Sequence, residues 1–299
     1  MNILDRSDKI QILGHICMIG ACSMWGLMAP LGKDAMTHGI SGIEMVTFRV
    51  VGGAICFWFA SLFVKTEKVE HKDYLRFFLA GMFAIVCNQC CYTVGLSITS
   101  PVNASIMTTT MPIITLVLSA LFLHDAITAR KLLGVSLGAS GACLLILGST
   151  QGVAKGGVLF GDILCIMAQC SYAVYLTFFK SLIQKYSVIT CMKWMITFAA
   201  MVITPFTFMK VVHLPWKGIS SVTYMETTFV VVGGTFLAYI CSIWAQKILR
   251  PTVVAMYNYV QPIIACIVSV CLGLGIFGWS QALAVLLVFS GVRLVNRKK

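Results

Sequence analysis

The chain reads as an all-α membrane protein of ten transmembrane helices, set out as two inverted five-helix repeats with both termini cytoplasmic. Three observations predict this. Apolar residues fill 59% of the 299 positions and charged residues only 11%, against about 25% charge in soluble domains; the mean hydropathy is +0.92. The apolar residues gather into runs of a length that spans a bilayer. One proline pattern also recurs at an offset of 150 residues, half the chain.

The runs, in order, are Ile10–Leu31, Ile43–Val64, Tyr74–Leu96, Val102–Leu123, Lys131–Gly148, Gly157–Phe179, Ile189–Met209, Thr227–Ile248, Thr252–Gly273 and Trp279–Val295. The first is too long for a signal-peptide core and is followed by many like it, so it reads as a retained span. The longest polar connections, Lys65–Asp73 and Lys210–Glu226, are too short for a separate soluble domain. Residues 1–150 form the first repeat and 151–299 the second, together making one membrane domain.

Positive charge sets the orientation. Sixteen of the 22 Lys and Arg fall on the side of the N-terminus. Four fall on the other side (Lys33, Lys155, Lys210, Lys217), while Arg49 and Lys193 lie within or at the ends of spans. This bias puts both termini in the cytoplasm and calls for an even number of spans. Five spans per repeat is odd, so the second copy must enter the membrane upside down. The charges agree: the turn before Pro101 has none, whereas the turn before Pro251 carries Lys247 and Arg250.

The repeated pattern is Pro, ten residues, Pro, Ile, Ile, starting at Pro101 and at Pro251. Each first proline suits the first turn of a helix. The second prolines, Pro112 and Pro262, lie about 16 Å deeper if the intervening residues are helical, near the middle of a ~30 Å hydrocarbon core. Matched interruptions in two halves are the sequence mark of a substrate site in carriers. Each interrupting proline also denies a hydrogen bond to the carbonyl four residues earlier, that of Thr108 or Asn258. Tyr257 and Gln261 are expected to share a face with Asn258 beside them. Asn88 and Tyr92, Tyr239 with Ser242 and Gln246, and Gln169 with Tyr172 and Tyr175 recur at helical spacing. Polar side chains inside a membrane should face the bundle. The expected substrate contacts are therefore Trp25, Asn88, Tyr92, Thr108, Tyr172, Tyr239, Tyr257, Asn258 and Gln261, with Trp25 as an aromatic wall. Pro112 and Pro262 are the helix-breaking elements. Arg49 is assigned a structural or gating role in preference to direct anion binding.

Other chemistries find little support. The net charge of +12 comes from residues between apolar runs, with no basic block suited to nucleic acid. The 13 cysteines lie mostly inside the runs; Cys87-Asn-Gln-Cys90 stands alone, where a structural zinc needs four ligands. No metal or cofactor is expected. Gly26 to Lys33 departs from a phosphate loop in spacing and in having Asp34 after the lysine. Asn103-Ala-Ser105 matches a glycosylation sequon but falls in a span. Gly134-x-x-x-Gly138 favours close helix packing, expected within a monomer, with a dimer as the alternative.

The ten spans, the two repeats, the proline in span four, the ending Ala120-Leu-Phe-Leu-His-Asp125 and Phe48-Arg49 in span two together resemble the EamA family of the drug/metabolite transporter superfamily. The resemblance covers essentially the whole chain. It implies a secondary transporter of the cell (inner) membrane that exports amino acids or other small metabolites by alternating access. The family often has Glu where this chain has Asp125, and Gly273–Gly278 in the second half holds no acid. A sugar-phosphate or nucleotide-sugar carrier would want more midplane cations than Arg49. An enzyme would need clustered acids, bases or nucleophiles, whereas the five His are scattered. A sensor would bind its ligand without flux.

Overall fold

A computed structural model describes residues 6–99, 104, 107–148, 159–271 and 279–296. Pro101, Asn103 and Ser105 of the sequon, Lys155 and the segment 273–278 lie outside them. The described residues form helices and connecting turns, with no strand among them. In order the helices are α1 (Arg6–Thr37), α2 (Gly42–Ser61), α3 (His71–Ile98), α4 (Met111–Phe122), α5 (Ala129–Gly148), α6 (Leu159–Phe178) and the short α7 (Lys180–Lys185). They continue with α8 (Val188–Val212), α9 (Ser221–Ile248), α10 (Pro251–Met256), α11 (Val260–Cys271) and α12 (Trp279–Asn296). Six stretches among the described residues are long and apolar enough to cross a membrane: Lys9–Thr37, α2, α3, α6, α8 and α9.

Local chemistry sets the helix starts. Ser41 caps α2 in a capping box with Glu44, and Ser187 and Ser220 accept from backbone N–H groups at the starts of α8 and α9. These bonds satisfy donors that a helix start leaves open. Lys33 closes the end of α3. Its ammonium donates to the carbonyls of Leu96, Ser97 and Thr99 at 2.8, 2.9 and 3.2 Å. Thr99 in turn donates to Asp162 at 2.6 Å.

Two helices carry a wider turn that the sequence does not announce. Met82–Cys87 in α3 and Val232–Leu237 in α9 are π-helical, and they stand 150 residues apart, at the offset of the proline pattern. The contacts show the same pairing. α3 packs on α6 as α1 packs on α9, and α4 packs on α6 as α1 packs on α11. α2 pairs with α8, and α5 with α12.

Large apolar side chains point outward, Phe206 being 82% and Trp279 91% exposed, as a lipid-facing surface requires. Inside, small residues let backbones meet. A Cβ on Gly291 of α12 would lie 2.4 Å from the carbonyl oxygen of Gly134 and 2.9 Å from the nitrogen of Gly138. The Gly134–Gly138 pair thus packs within the chain. Gly20 of α1, by contrast, has nothing within 4 Å of that position.

At one end of the bundle an ionic cluster ties the α2–α3 connection to α7. Fully buried Asp73 accepts from Lys185 at 2.6 Å, Tyr186 at 2.7 Å and Arg76 at 3.2 Å. Glu70 pairs with Lys185 and with Lys72, while Lys247 reaches the Tyr186 carbonyl. Hydrogen bonds from Lys185 and then Lys72 hold the Glu70 carboxyl below its ordinary value. Bonds to Asp73 and Glu70 raise Lys185 above its own. Both shifts favour the charged forms of Glu70 and Lys185.

Two predictions follow from this packing. Gly291→Ala should destabilise the protein by about 1–3 kcal/mol through overpacking, while Gly20→Ala should leave stability unchanged or raise it by up to about 1 kcal/mol; thermal unfolding of the purified protein reads both. For Glu70, whose folded value is depressed, the stabilisation is present above the unfolded carboxyl value of about 4.3 and is lost as pH falls through the folded value. The melting temperature of Glu70→Gln should accordingly lie below wild type by a constant gap above about pH 5, closing below about pH 4.

Candidate functional site

Both proline patterns become helix breaks. A turn at Thr109–Thr110 precedes α4, and a single 3₁₀ turn at Tyr257–Tyr259 separates α10 from α11. Pro251 occupies the first turn of α10. Pro112 and Pro262 fall in the first turns of α4 and α11, where a backbone N–H has no intrahelical acceptor in any case. They begin new helices rather than bend old ones.

A cavity opens beside these breaks. It holds about 510 Å³ of space between atoms, open solvent included, and a water-sized sphere can be centred in about 60 Å³ of it. That is room for a handful of waters, so the walls stand close together in this state. α1 supplies Trp25 and Met28, α2 Arg49, and α3 Asn88 and Tyr92; the first break and α4 supply Thr108 and Met111. From the second half come Gln169 and Tyr172 of α6, Tyr239 of α9, Asn258 of the 3₁₀ turn and Gln261 of α11.

The aromatic wall is fixed by hydrogen bonds to the π-helical turns. Trp25 Nε1 donates to the Gly234 carbonyl at 2.9 Å. Its ring meets Tyr172 and Tyr239 edge-on, with centroids 6.2 and 5.9 Å away, a favoured aromatic geometry. The Tyr239 hydroxyl donates to the Ala84 carbonyl at 3.3 Å and accepts from Gln89 at 3.1 Å. Ser171 donates to the Phe83 carbonyl at 2.7 Å. Gly234, Ala84 and Phe83 all belong to π-helical turns, which often mark functional sites. Behind the wall, the Tyr172 hydroxyl lies 3.2 Å from Ser242 Oγ, and Gln246 donates to both groups.

The polar wall is held in the same way. Asn88 donates to the Ala168 carbonyl at 2.9 Å, Gln261 to Asn258 Oδ1 at 2.8 Å, and Asn258 to Met111 Sδ. Arg49 is 3% exposed. Its Nε donates to Thr235 Oγ1 at 3.2 Å and its Nη1 to Thr93 Oγ1 at 3.4 Å. Among the described residues no carboxylate pairs with it, and neither Tyr92 nor Gln169 makes a side-chain hydrogen bond.

The expected contacts Trp25, Asn88, Tyr92, Thr108, Tyr172, Tyr239, Asn258 and Gln261 are thus brought to one cavity. Tyr257 is not among its lining residues. Its hydroxyl meets His15 Nδ1 at 2.7 Å, and His15 Nε2 meets Asn296 at 3.0 Å. The pairing of Tyr257 with Gln261 assumed 3.6 residues per turn, but residues 257–259 wind at three per turn, so Asn258 becomes the partner of Gln261. Arg49, assigned a structural or gating role, also stands on the cavity wall. Met28, Met111 and Gln169 were not among the expected contacts. Gln169 carried a signal in its three-residue spacing to Tyr172, whereas the methionines carried none. Among the described residues no cluster of His, Cys, Asp or Glu is arranged to hold a metal ion.

Comparison with known proteins adds the decisive finding: the profile of the EamA-like transporter family matches residues 12–147 and again residues 159–297. The chain belongs to the EamA-like transporter family. The two matches make it a duplicated domain, and membership places it among multi-pass membrane transporters of small solutes. It is 24% identical over 268 residues to the uncharacterized transporter YdfC of Bacillus subtilis, covering 88% of this chain and 84% of that protein. An uncharacterized transporter of Archaeoglobus fulgidus is 27% identical over 169 residues, which span 56% of this chain and 58% of that protein. Protein WALLS ARE THIN 1 of Arabidopsis thaliana is 27% identical over 149 residues, 47% of this chain and 38% of that protein. A solved structure described only as the crystal structure of a protein shares the fold, with a TM-score of 0.74 at 13% identity and 96% of each chain covered.

Trp25→Phe keeps the aromatic ring but strips the Gly234 carbonyl of its donor. It should cost about 1–3 kcal/mol of stability, read as a lowered midpoint of thermal unfolding.

Proposed function

We propose that the protein is a secondary transporter of the cell (inner) membrane that exports small metabolites, amino acids or related compounds, by alternating access around this cavity. In this reading ten spans form two inverted five-helix repeats, residues 1–150 and 151–299, with both termini cytoplasmic and the monomer as the working unit. Trp25, Asn88, Tyr92, Thr108, Tyr172, Tyr239, Asn258 and Gln261 contact substrate, and the breaks at Pro112 and Pro262 let the halves move.

One observation carries the proposal: a polar cavity sits between the two halves, walled by residues of both and bordered by both helix breaks. Carriers built from repeats place their sites at such a junction. Two ties between the halves support movement about it. The Asp73–Lys185 cluster is one. The other is Asp125, which pairs with Lys131 at 2.7 Å and lies 4.0 Å from Arg250.

The test is flux through purified protein in liposomes, scored over a panel of amino acids and small metabolites. Asn258→Ala should lower flux at least tenfold, since it removes a buried polar contact with substrate; losing its bonds to Met111 and Gln261 should also cost about 1–3 kcal/mol of stability, so flux is scored per folded protein. Phe206→Ala, on the outer surface, should transport normally. Wild-type flux through Asn258→Ala would remove the cavity from the pathway.

A further inference from the structure

Arg49 carries a charge for which the described residues supply no carboxylate partner. We propose that it is the anion subsite of the cavity and binds the carboxylate of a small organic acid; this deepens the transport reading and rests on the cavity being the substrate site. A buried cation is costly unless paired and fully hydrogen-bonded. Guanidinium offers five N–H donors. Thr235 and Thr93 accept one each, which leaves three without a described partner. The acids that could have paired with it are spent elsewhere. Glu44 caps α2, Glu67 accepts from the Ser187 backbone N–H, and Glu70 and Asp73 hold Lys185. Asp125 pairs with Lys131, and Asp162 accepts from Thr99.

The two threonines orient the group as well as bond it. With Nε anchored to one side chain and Nη1 touched by the other, the plane of the fork is set before any ligand arrives. A planar fork matches a carboxylate, which it binds through two parallel hydrogen bonds. The cavity lining holds one cation and no anion, so its charge suits a single negative group; a phosphate dianion would call for a second cation. Tyr92 and Gln169, also on the wall and with no side-chain hydrogen bond among the described residues, can take further polar groups of the ligand. Trp25, Tyr172 and Tyr239 offer ring surface to its apolar part.

The experiment uses the full chain and matched acid and amide probes. One set is acetate, butyrate and 3-phenylpropionate with their amides; the other is glycine, leucine and phenylalanine with theirs, so that simple acids and zwitterions are separated. Thermal shift of the detergent-purified protein reads binding, and liposome flux reads transport. The expected result is that at least one acid is bound and moved at least tenfold better than its amide. Arg49→Met should erase that preference and Arg49→Lys, a point charge without the fork, should keep only part of it. If Arg49→Met does not fold, the wild-type acid-to-amide ratio decides: a ratio near one overturns the subsite. Retention of the preference in Arg49→Met also overturns it. Acid-selective binding without flux leaves the subsite standing and overturns the transport reading. Flux without acid selectivity does the reverse, and neither binding nor flux overturns both.

Discussion

The architecture depends on one constraint: in a hydrocarbon setting every backbone N–H and C=O needs a partner within the protein. A helix meets this by itself, and a site built only of regular helices would present side chains alone. This chain departs from regular helix near the cavity, at two π-helical turns and two breaks, and supplies a partner for each carbonyl discussed above. Trp25 serves Gly234, Tyr239 serves Ala84 and Ser171 serves Phe83. The aromatic groups that wall the cavity are thus also the groups that satisfy its irregular backbone. Shape and solvation are linked, and a change to either wall residue disturbs both.

Much of this was legible in the sequence. The apolar runs foretold where the long helices lie, and the Pro-to-Pro pattern located the breaks at Pro112 and Pro262. Helical spacing brought Asn88 with Tyr92 and placed Tyr239. These signals survive because they depend on chemistry that one residue type performs, such as the missing N–H of proline or the cost of an amide in lipid. The π-helical turns left no such trace. Met82–Cys87 and Val232–Leu237 share no residue pattern, and only tertiary packing tells a helix to widen there. Tyr257 was misplaced for a related reason: a single 3₁₀ turn changes which residues share a face. Arg49 was found as a residue but not as a wall, because its depth and its lack of a described carboxylate partner emerge only when the helices around it are placed.

The duplication divides labour between its copies. Equivalent positions build equivalent backbone, as the 150-residue spacing of the π-helical turns shows. Their side chains differ: Thr108 stands opposite Asn258, and Met111 opposite Gln261. The first half brings the charge and the second brings more of the amides. A cavity assembled from unlike halves is chemically polar from one wall to the other, which gives an asymmetric solute one preferred way to lie.

The glycine contact between α5 and α12 has a mechanical consequence. Where backbone rests on backbone, turning α12 by one residue position would press Ser290 or Val292 into the space Gly291 leaves open. The pair is therefore locked in register, and no residue of either helix lines the cavity. It forms a spine, a fixed frame of reference within the molecule, and displacements of the remaining helices are most naturally measured from it.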